Sequence, residues 1–386
     1  VSDGGDYMAE DYAFTFKTAP EKLGERGGNA GLGYLEEREL SSPDEFVETE
    51  NGVYDYQLEN DKATEVKVDL TDINKLVVEE NASVFQVRTP NGIYRLPIGQ
   101  VNFNSLVLNL RSDLEKIRVR IGINKTEEGL AEAIRKTVSE TGARVLSEPT
   151  TVQAEFYSDD GNTGDLSLGN IYATVILPLN DGADPIVATG VIYNAETNSF
   201  SHVPTIFDEV DGEPVAIIKA QAKGIYMILE TPKSFDDIST HWAKKDIEQL
   251  ASKLIINGKN GSVFDPDGDV TRAEFVAMMV RALGISEIRG RQSFMDVPAR
   301  AWYAKELGVA VTSGLVSGYE DGSFRPNAKI TRAEMAAILD RAMKYAKYNV
   351  KSGVKDTSFN DESNIPNWAK GSVQLMTNEG IIKGYD

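Results

Sequence analysis

The last third of this 386-residue chain repeats itself, and that repetition restricts its fold more than any other feature. Three units start Phe235-Asp236-Asp237-Ile238, Phe294-Met295-Asp296-Val297 and Phe359-Asn360-Asp361. Each then reaches a tryptophan, at Trp242, Trp302 and Trp368, and each tryptophan is followed 16 positions later by a glycine, Gly258, Gly318 and Gly384. In the first two units Thr-Arg-Ala-Glu follows 13 positions after that glycine, at Thr271 and Thr331. Constant spacing with variable loops before the tryptophan is the mark of a repeated supersecondary unit. Such a unit cannot bury its apolar face alone, so neighbouring units must pack together.

Each unit reads as helix, loop, helix. Ile247, Leu250 and Leu254, and in the next unit Leu307, Val311 and Leu315, form stripes at helical spacing, with Gly258 and Gly318 as stops. The turn is clearest as Tyr319-Glu320-Asp321-Gly322-Ser323-Phe324-Arg325-Pro326. Second helices open at Thr-Arg-Ala-Glu and carry Phe275, Met279 and Leu283, then Met335, Leu339 and Met343. Thr271 with Glu274, and Thr331 with Glu334, have capping-box spacing. Arg272 and Arg332 oppose the helix dipole by their position, which invites a further role: a helix N-terminus plus a guanidinium suits a carboxylate, with an ordinary salt bridge as the alternative.

Phe-x-Asp-[Ile/Val], then Trp, then Gly-Leu-Val-Ser-Gly-Tyr-Glu-Asp-Gly-Ser-Phe-Arg-Pro, then Ile-Thr-Arg-Ala-Glu resembles the S-layer homology (SLH) domain. The second unit matches closely; the first has Leu254 for Gly314 and Asp265 for Arg325. The resemblance implies three repeats in a pseudo-threefold helical prism. It also implies binding to secondary cell-wall polysaccharide of Gram-positive bacteria, commonly through pyruvylated N-acetylmannosamine. The ligand-binding residues it suggests are Asp237, Trp242, Gly258, Arg272, Asp296, Trp302, Gly318, Arg325, Arg332, Asp361, Trp368 and Gly384. Several have a plainer reading. The tryptophans can be core plugs at helix starts or platforms for a sugar face. Asp237, Asp296 and Asp361 can cap the first helices or accept from sugar hydroxyls. The glycines can end helices or leave backbone N–H groups open.

Composition narrows the partners. Formal charge is −20, which argues against nucleic acid as a partner and disfavours adsorption to anionic membranes, and no stretch approaches the roughly 18 consecutive apolar residues of a membrane-spanning helix. An anionic polymer must then be held by short-range, oriented donors. Cysteine is absent, and the two histidines are His202 and His241, so thiolate chemistry is excluded and a histidine-based site is poorly supplied. His202 reads as an exposed strand residue. No cofactor or metal is implied. Asp265-Pro266-Asp267-Gly268-Asp269 looks like a calcium loop but lacks the sixth-position glycine and a terminal glutamate, and it aligns with the turn of the second repeat. Asp159 to Asp165 reads as a hairpin loop.

The remaining chain predicts a β-rich (α+β) region before the all-α repeat bundle. Residues 1–18 resemble the last strand of an Ig-like domain, and 19–52 read as a Gly/Glu-rich linker or extended loop. Residues 53–232 form a β-rich domain with one or two helices. Its signals are the alternation at Val66, Val68 and Leu70, a hairpin at Pro90-Asn91-Gly92, a strand over 117–123 and a helix over 127–141 stopped by Gly142. A further hairpin joins Val191-Ile192-Tyr193 to Phe200-Ser201-His202. Repeats then occupy 233–290, 291–355 and 356–386. The third stops before its turn and second helix, which predicts that the natural polypeptide continues past Asp386. The resemblance implies non-covalent anchoring of a surface protein to wall polysaccharide, as an S-layer component that binds copies of itself. The alternative is a wall-anchored enzyme, such as a glycoside hydrolase, with its catalytic domain upstream. No catalytic constellation is legible in the chain itself, which reads as no enzyme.

Overall fold

In the computed structural model, residues 36–40, 46–58, 63–165, 171–180, 182–221, 223–285, 294–350 and 359–384 are described. The expected Ig-like strand at 10–18 lies outside them. By compactness the chain divides into two units. Of the described residues, one comprises those of 36–235 with 242–257; the other comprises 236–241 with those of 258–384.

The larger unit is β-rich. Its strands and helices run β1 (Glu36–Leu40), β2 (Val47–Glu50), β3 (Val53–Gln57), β4 (Ala63–Asp69), α1 (Leu70–Glu79), β5 (Val84–Thr89), β6 (Gly92–Leu96) and α2 (Phe103–Leu110). Then come β7 (Ile117–Lys125), α3 (Glu128–Glu140), β8 (Arg144–Val145), β9 (Thr150–Ser158), β10 (Thr163–Asp165), β11 (Ala173–Pro178), β12 (Ala188–Asn194) and β13 (Ser199–Val203). Last are β14 (Thr205–Val210), β15 (Glu213–Ala220), β16 (Gly224–Glu230) and α4 (Lys244–Ser252). One sheet has the order β1-β4-β7-β9-β16-β12-β13, with β10 on β9 and β8 on β16. The other runs β14-β15-β11-β6-β5-β3-β2.

Alternation builds the core. Ile117, Val119, Ile121 and Ile123 of β7, with Val152, Ala154 and Phe156 of β9, turn one face inward. Tyr54, Phe85, Val87, Tyr94, Val175 and Ile218 of the second sheet join the same cluster. Strand β16 is apolar on both faces. Tyr226 and Ile228 enter this core, while Met227 and Leu229 meet Ile134 and Val138 of α3 on the opposite face. α3 is stapled at its start by the Glu127 carboxylate, which accepts from the N–H groups of Gly129 and Leu130, both at 3.1 Å. Gly142 follows its end at φ 74°. Thr89 and Gly92 close the expected hairpin.

Several expectations need correction. Within the stretch read as linker, β1 pairs in parallel with β4, and β2 pairs antiparallel with β3. Backbone pairing needs no apolar side chains at a sheet edge, so the Glu-rich composition hid both strands. The β-rich region has three helices among its described residues before α4, not one or two. α1 was hidden because the alternation at Val66, Val68 and Leu70 crosses a strand-to-helix junction: Leu70 already starts the helix that buries Ile73 and Leu76. α2 is a short apolar run whose start is marked by the Asn102 side chain accepting from Ser105 N–H at 3.0 Å. His202 is buried, 7% exposed, with Nδ1 2.7 Å from Thr189 Oγ1. Burial, then the positive charge of Lys253, depresses its pKa to about 4.

The smaller unit is helical. It holds α5 (Arg272–Ala282), α6 (Ala304–Thr312), α7 (Arg332–Tyr345) and α8 (Lys370–Asn378). α5 packs against α6 and α7, and α7 against α8. The buried stripe of α7 is Ala336, Ala337, Ile338 and Ala342, shifted from the Met335, Leu339 and Met343 that periodicity favoured. Small residues let the helices approach closely, so the alanines go inside.

Candidate functional site: the cross-repeat arginines

Each repeated residue finds a defined place. The carboxylate of Asp296 accepts from the backbone N–H of Phe324 at 2.8 Å and Arg325 at 2.7 Å. Asp237 does the same to Phe264 at 2.9 Å and Asp265 at 2.7 Å. These aspartates therefore cap the turn before the second helix, not the first helix. The two N–H groups hold the Asp237 carboxyl below its ordinary range. Burial pushes Asp296 up, but the same pair of donors outweighs it. Asp361 is exposed and precedes a short 3-10 turn, Glu362–Asn364, without a side-chain cap bond.

The turns so tied carry left-handed residues, Asp265 at φ 66° and Arg325 at φ 59°. Thus 265–269 is the turn ahead of α5. Thr271 and Thr331 then form complete capping boxes with Glu274 and Glu334.

The helix stops are not where the sequence placed them. The positive-φ residues are Leu254, Gly314 and Gly380, each 12 positions after its tryptophan. Gly318 serves close approach instead: a Cβ there would lie 2.3 Å from Phe294 Cε1 and 2.8 Å from Ser323 O. Gly384 lies similarly against Phe359, where a Cβ would be 3.2 Å from Cδ1. Gly258 is partly buried just past the Leu254 turn. The tryptophans are not core plugs. Trp242 is 87% and Trp368 61% exposed, and Trp302 is half-buried edge-on to Tyr303. The following residue goes inside instead, as Tyr303 and Ala369 do.

The arginines cross between repeats. Arg272, at the start of α5, is buried and donates from Nη1 to Glu334 Oε1 and from Nη2 to the Ser317 carbonyl, both at 3.0 Å. Arg332, at the start of α7, donates to the Lys383 carbonyl. Ser317 and Lys383 directly precede Gly318 and Gly384. Each arginine therefore meets the same backbone position of the next repeat.

Around Arg272 lies a compact polar-aromatic cluster. Its guanidinium sits 5.0 Å from the Tyr319 ring centre and 4.8 Å from that of Phe324. Arg325 covers Tyr319 at 4.0 Å and donates to Asp321 at 2.9 Å. The Tyr319 hydroxyl donates to Glu334. Burial pushes the Glu334 carboxyl up, but the Thr331 N–H, the Tyr319 hydroxyl and the Arg272 charge hold it below its ordinary value. The Arg272 Nε is buried without a hydrogen-bond partner. Tyr319, Asp321 and Glu334 were not among the sequence candidates. The repetition of Glu274 at 334 was the available signal, but it was spent on the capping box, whose Oε2 it explains while leaving Oε1 free for Arg272.

Two-helix units joined by arginines that reach from one repeat into the next define a helical repeat module. Residues 234–276, 293–336 and 358–386 match the S-layer homology domain, and the chain is an SLH-domain protein of the cell surface and wall. It is 35% identical over 211 residues to an amylopullulanase of Thermoanaerobacterium thermosulfurigenes, covering 54% of this chain and 11% of that protein. It is 34% identical over 209 residues to exoglucanase XynX of Acetivibrio thermocellus, covering 54% and 18%. A surface-layer 125 kDa protein of Lysinibacillus sphaericus is 33% identical over 153 residues, covering 39% and 12%. The chain thus spans under a fifth of the length of these relatives. Among the described residues no helix is long and apolar enough to cross a membrane.

Proposed function

We propose that the repeats anchor the protein non-covalently to a pyruvylated secondary cell-wall polysaccharide, each binding groove lying between successive repeats of a pseudo-threefold prism. The observation that carries this reading is the repeated arginine-to-carbonyl link, Arg272 to Ser317 and Arg332 to Lys383. It brings a guanidinium, a helix N-terminus and the backbone beside a repeated glycine to one place, donors suited to a carboxylate. Tyr319 and Trp302 add aromatic faces for the sugar ring. Arg325, Asp237, Asp296, Asp361, Trp242 and Trp368 border these positions in sequence register. The surplus of negative charge makes binding depend on oriented contacts, so retention falls less steeply with salt than polybasic binding does. Co-sedimentation with purified walls tests the reading: the chain pellets with polymer-bearing walls and stays in solution with walls stripped of polymer. Equal pelleting with both would refute it.

The similarity to surface-layer proteins supports a structural role in a lattice of copies of this chain. The similarity to an amylopullulanase and an exoglucanase supports a second reading, in which the repeats anchor a catalytic domain outside this stretch. In both, this stretch serves attachment and no catalysis.

A further inference from the structure

Leu254 is the exception among the three helix stops. Gly314 and Gly380 take the left-handed conformation at φ 70° and 75°, as glycine does readily; Leu254 takes it at φ 58° against the preference of a branched side chain. Something must compensate. Its side chain packs on the cluster of Ile134 and Val138 from α3, Val191 from β12, and Met227 and Leu229 from β16. Just before it, Ser252 is fully buried. Its carbonyl accepts from the Thr231 hydroxyl, and its own hydroxyl accepts from the Lys233 N–H at 3.0 Å. Ile255 and Ile256 after it are buried too. The segment 242–257 belongs by compactness to the β-rich unit, although the SLH match runs through it from 234 to 276.

We propose that α4 with its Leu254 turn is a clamped joint: the first helix of the first repeat is folded into the β-rich unit, so Trp242 at its start is mounted on that unit. The clamp stands on packing alone; the value of holding Trp242 as a polymer contact rests on the anchoring reading. A leucine kept in a strained turn against a cluster of five apolar side chains is what such a clamp requires. A simple exposed helix stop would favour glycine, as in the other two repeats.

Native-state hydrogen exchange on the full chain tests it with Leu254→Gly, which removes the side chain and relieves the backbone. The clamp predicts that α4, α3, β12 and β16 exchange faster together, by about fivefold or more, with α7 and α8 unchanged. Unchanged or slower exchange in those segments overturns it, because the leucine would then be a poor substitute for glycine. Leu254→Asp should enlarge the effect; should that variant fail to fold, Leu254→Gly still decides. With Trp302 and Trp368 replaced by Phe, the anisotropy of Trp242 emission should fall in Leu254→Gly, and an unchanged value counts against the mounting. Failure of the wild-type chain to hold wall polymer would remove the anchoring reading and leave the exchange result standing.

Discussion

Arg272 in the first repeat and Glu334 in the second are joined at 3.0 Å, with the arginine lying against two aromatic rings and the glutamate also closing the cap of its own helix. One carboxylate thus serves two repeats, Oε2 for its helix and Oε1 for its neighbour. Removing it leaves a buried guanidinium short of its counter-charge. Glu334→Ala should cost about 2–4 kcal/mol, measured by denaturant unfolding. Glu274→Ala, whose second oxygen faces the half-exposed Lys259 at 3.5 Å, should cost about 1 kcal/mol.

The same pair makes stability depend on acid. The folded-state pKa of Glu334 is depressed, so its contribution is fully present above the unfolded value of about 4.5 and is lost as pH falls through the folded value. Asp237 and Asp296 behave in the same sense. The helical unit should therefore lose stability below about pH 4.5 more steeply in the wild type than in Glu334→Gln. Melting curves followed from pH 6 to 3, at about half-unit steps, check this.

His202 acts through a different window. Its folded pKa of about 4 lies below the ordinary 6.5, so the unfolded chain takes up a proton first. Stability of the β-rich unit should fall between pH 6.5 and 4 and level off below. His202→Gln, which can keep a bond to Thr189, should flatten that slope.

Two glycines separate two physical roles. Gly318→Ala places a methyl group against Phe294 and the Ser323 carbonyl, and should destabilise by about 1–3 kcal/mol. Gly314→Ala meets open space but is strained at φ 70°, and should cost about 1 kcal/mol. Unfolding midpoints of the two variants give the ranking, and a costlier Gly314→Ala would contradict the packing role of Gly318.

The sequence made the repeats legible because spacing survives where side chains vary. The Trp-to-Gly and Gly-to-Thr-Arg-Ala-Glu intervals located both capping boxes and both crossing arginines. What spacing could not tell was direction. Trp302 and Tyr303 are neighbours, and only packing decides that Tyr303 goes inward. The same holds for glycine: Gly314 and Gly318 both sit near the helix end, and only the backbone distinguishes the turn from the close contact. For Asp237 and Asp296 the sequence offers a local cap or a sugar contact, because local bonds are what spacing can suggest. Their partners lie 27 and 28 residues away, a relation no short window contains. In the β-rich unit, strong alternation gave β7 and the hairpins, whereas α1 was masked by a strand that runs straight into it.

The central claim is that the repeats recognise a carboxylate on the wall polymer through oriented donors. The most direct measurement is retention of the full chain on purified wall polysaccharide before and after its pyruvyl ketals are removed, at fixed salt. The account predicts retention on the intact polymer, loss of at least about tenfold on the de-pyruvylated polymer, and a similar loss with Arg332→Ala on the intact one. Equal retention on both polymers would contradict it.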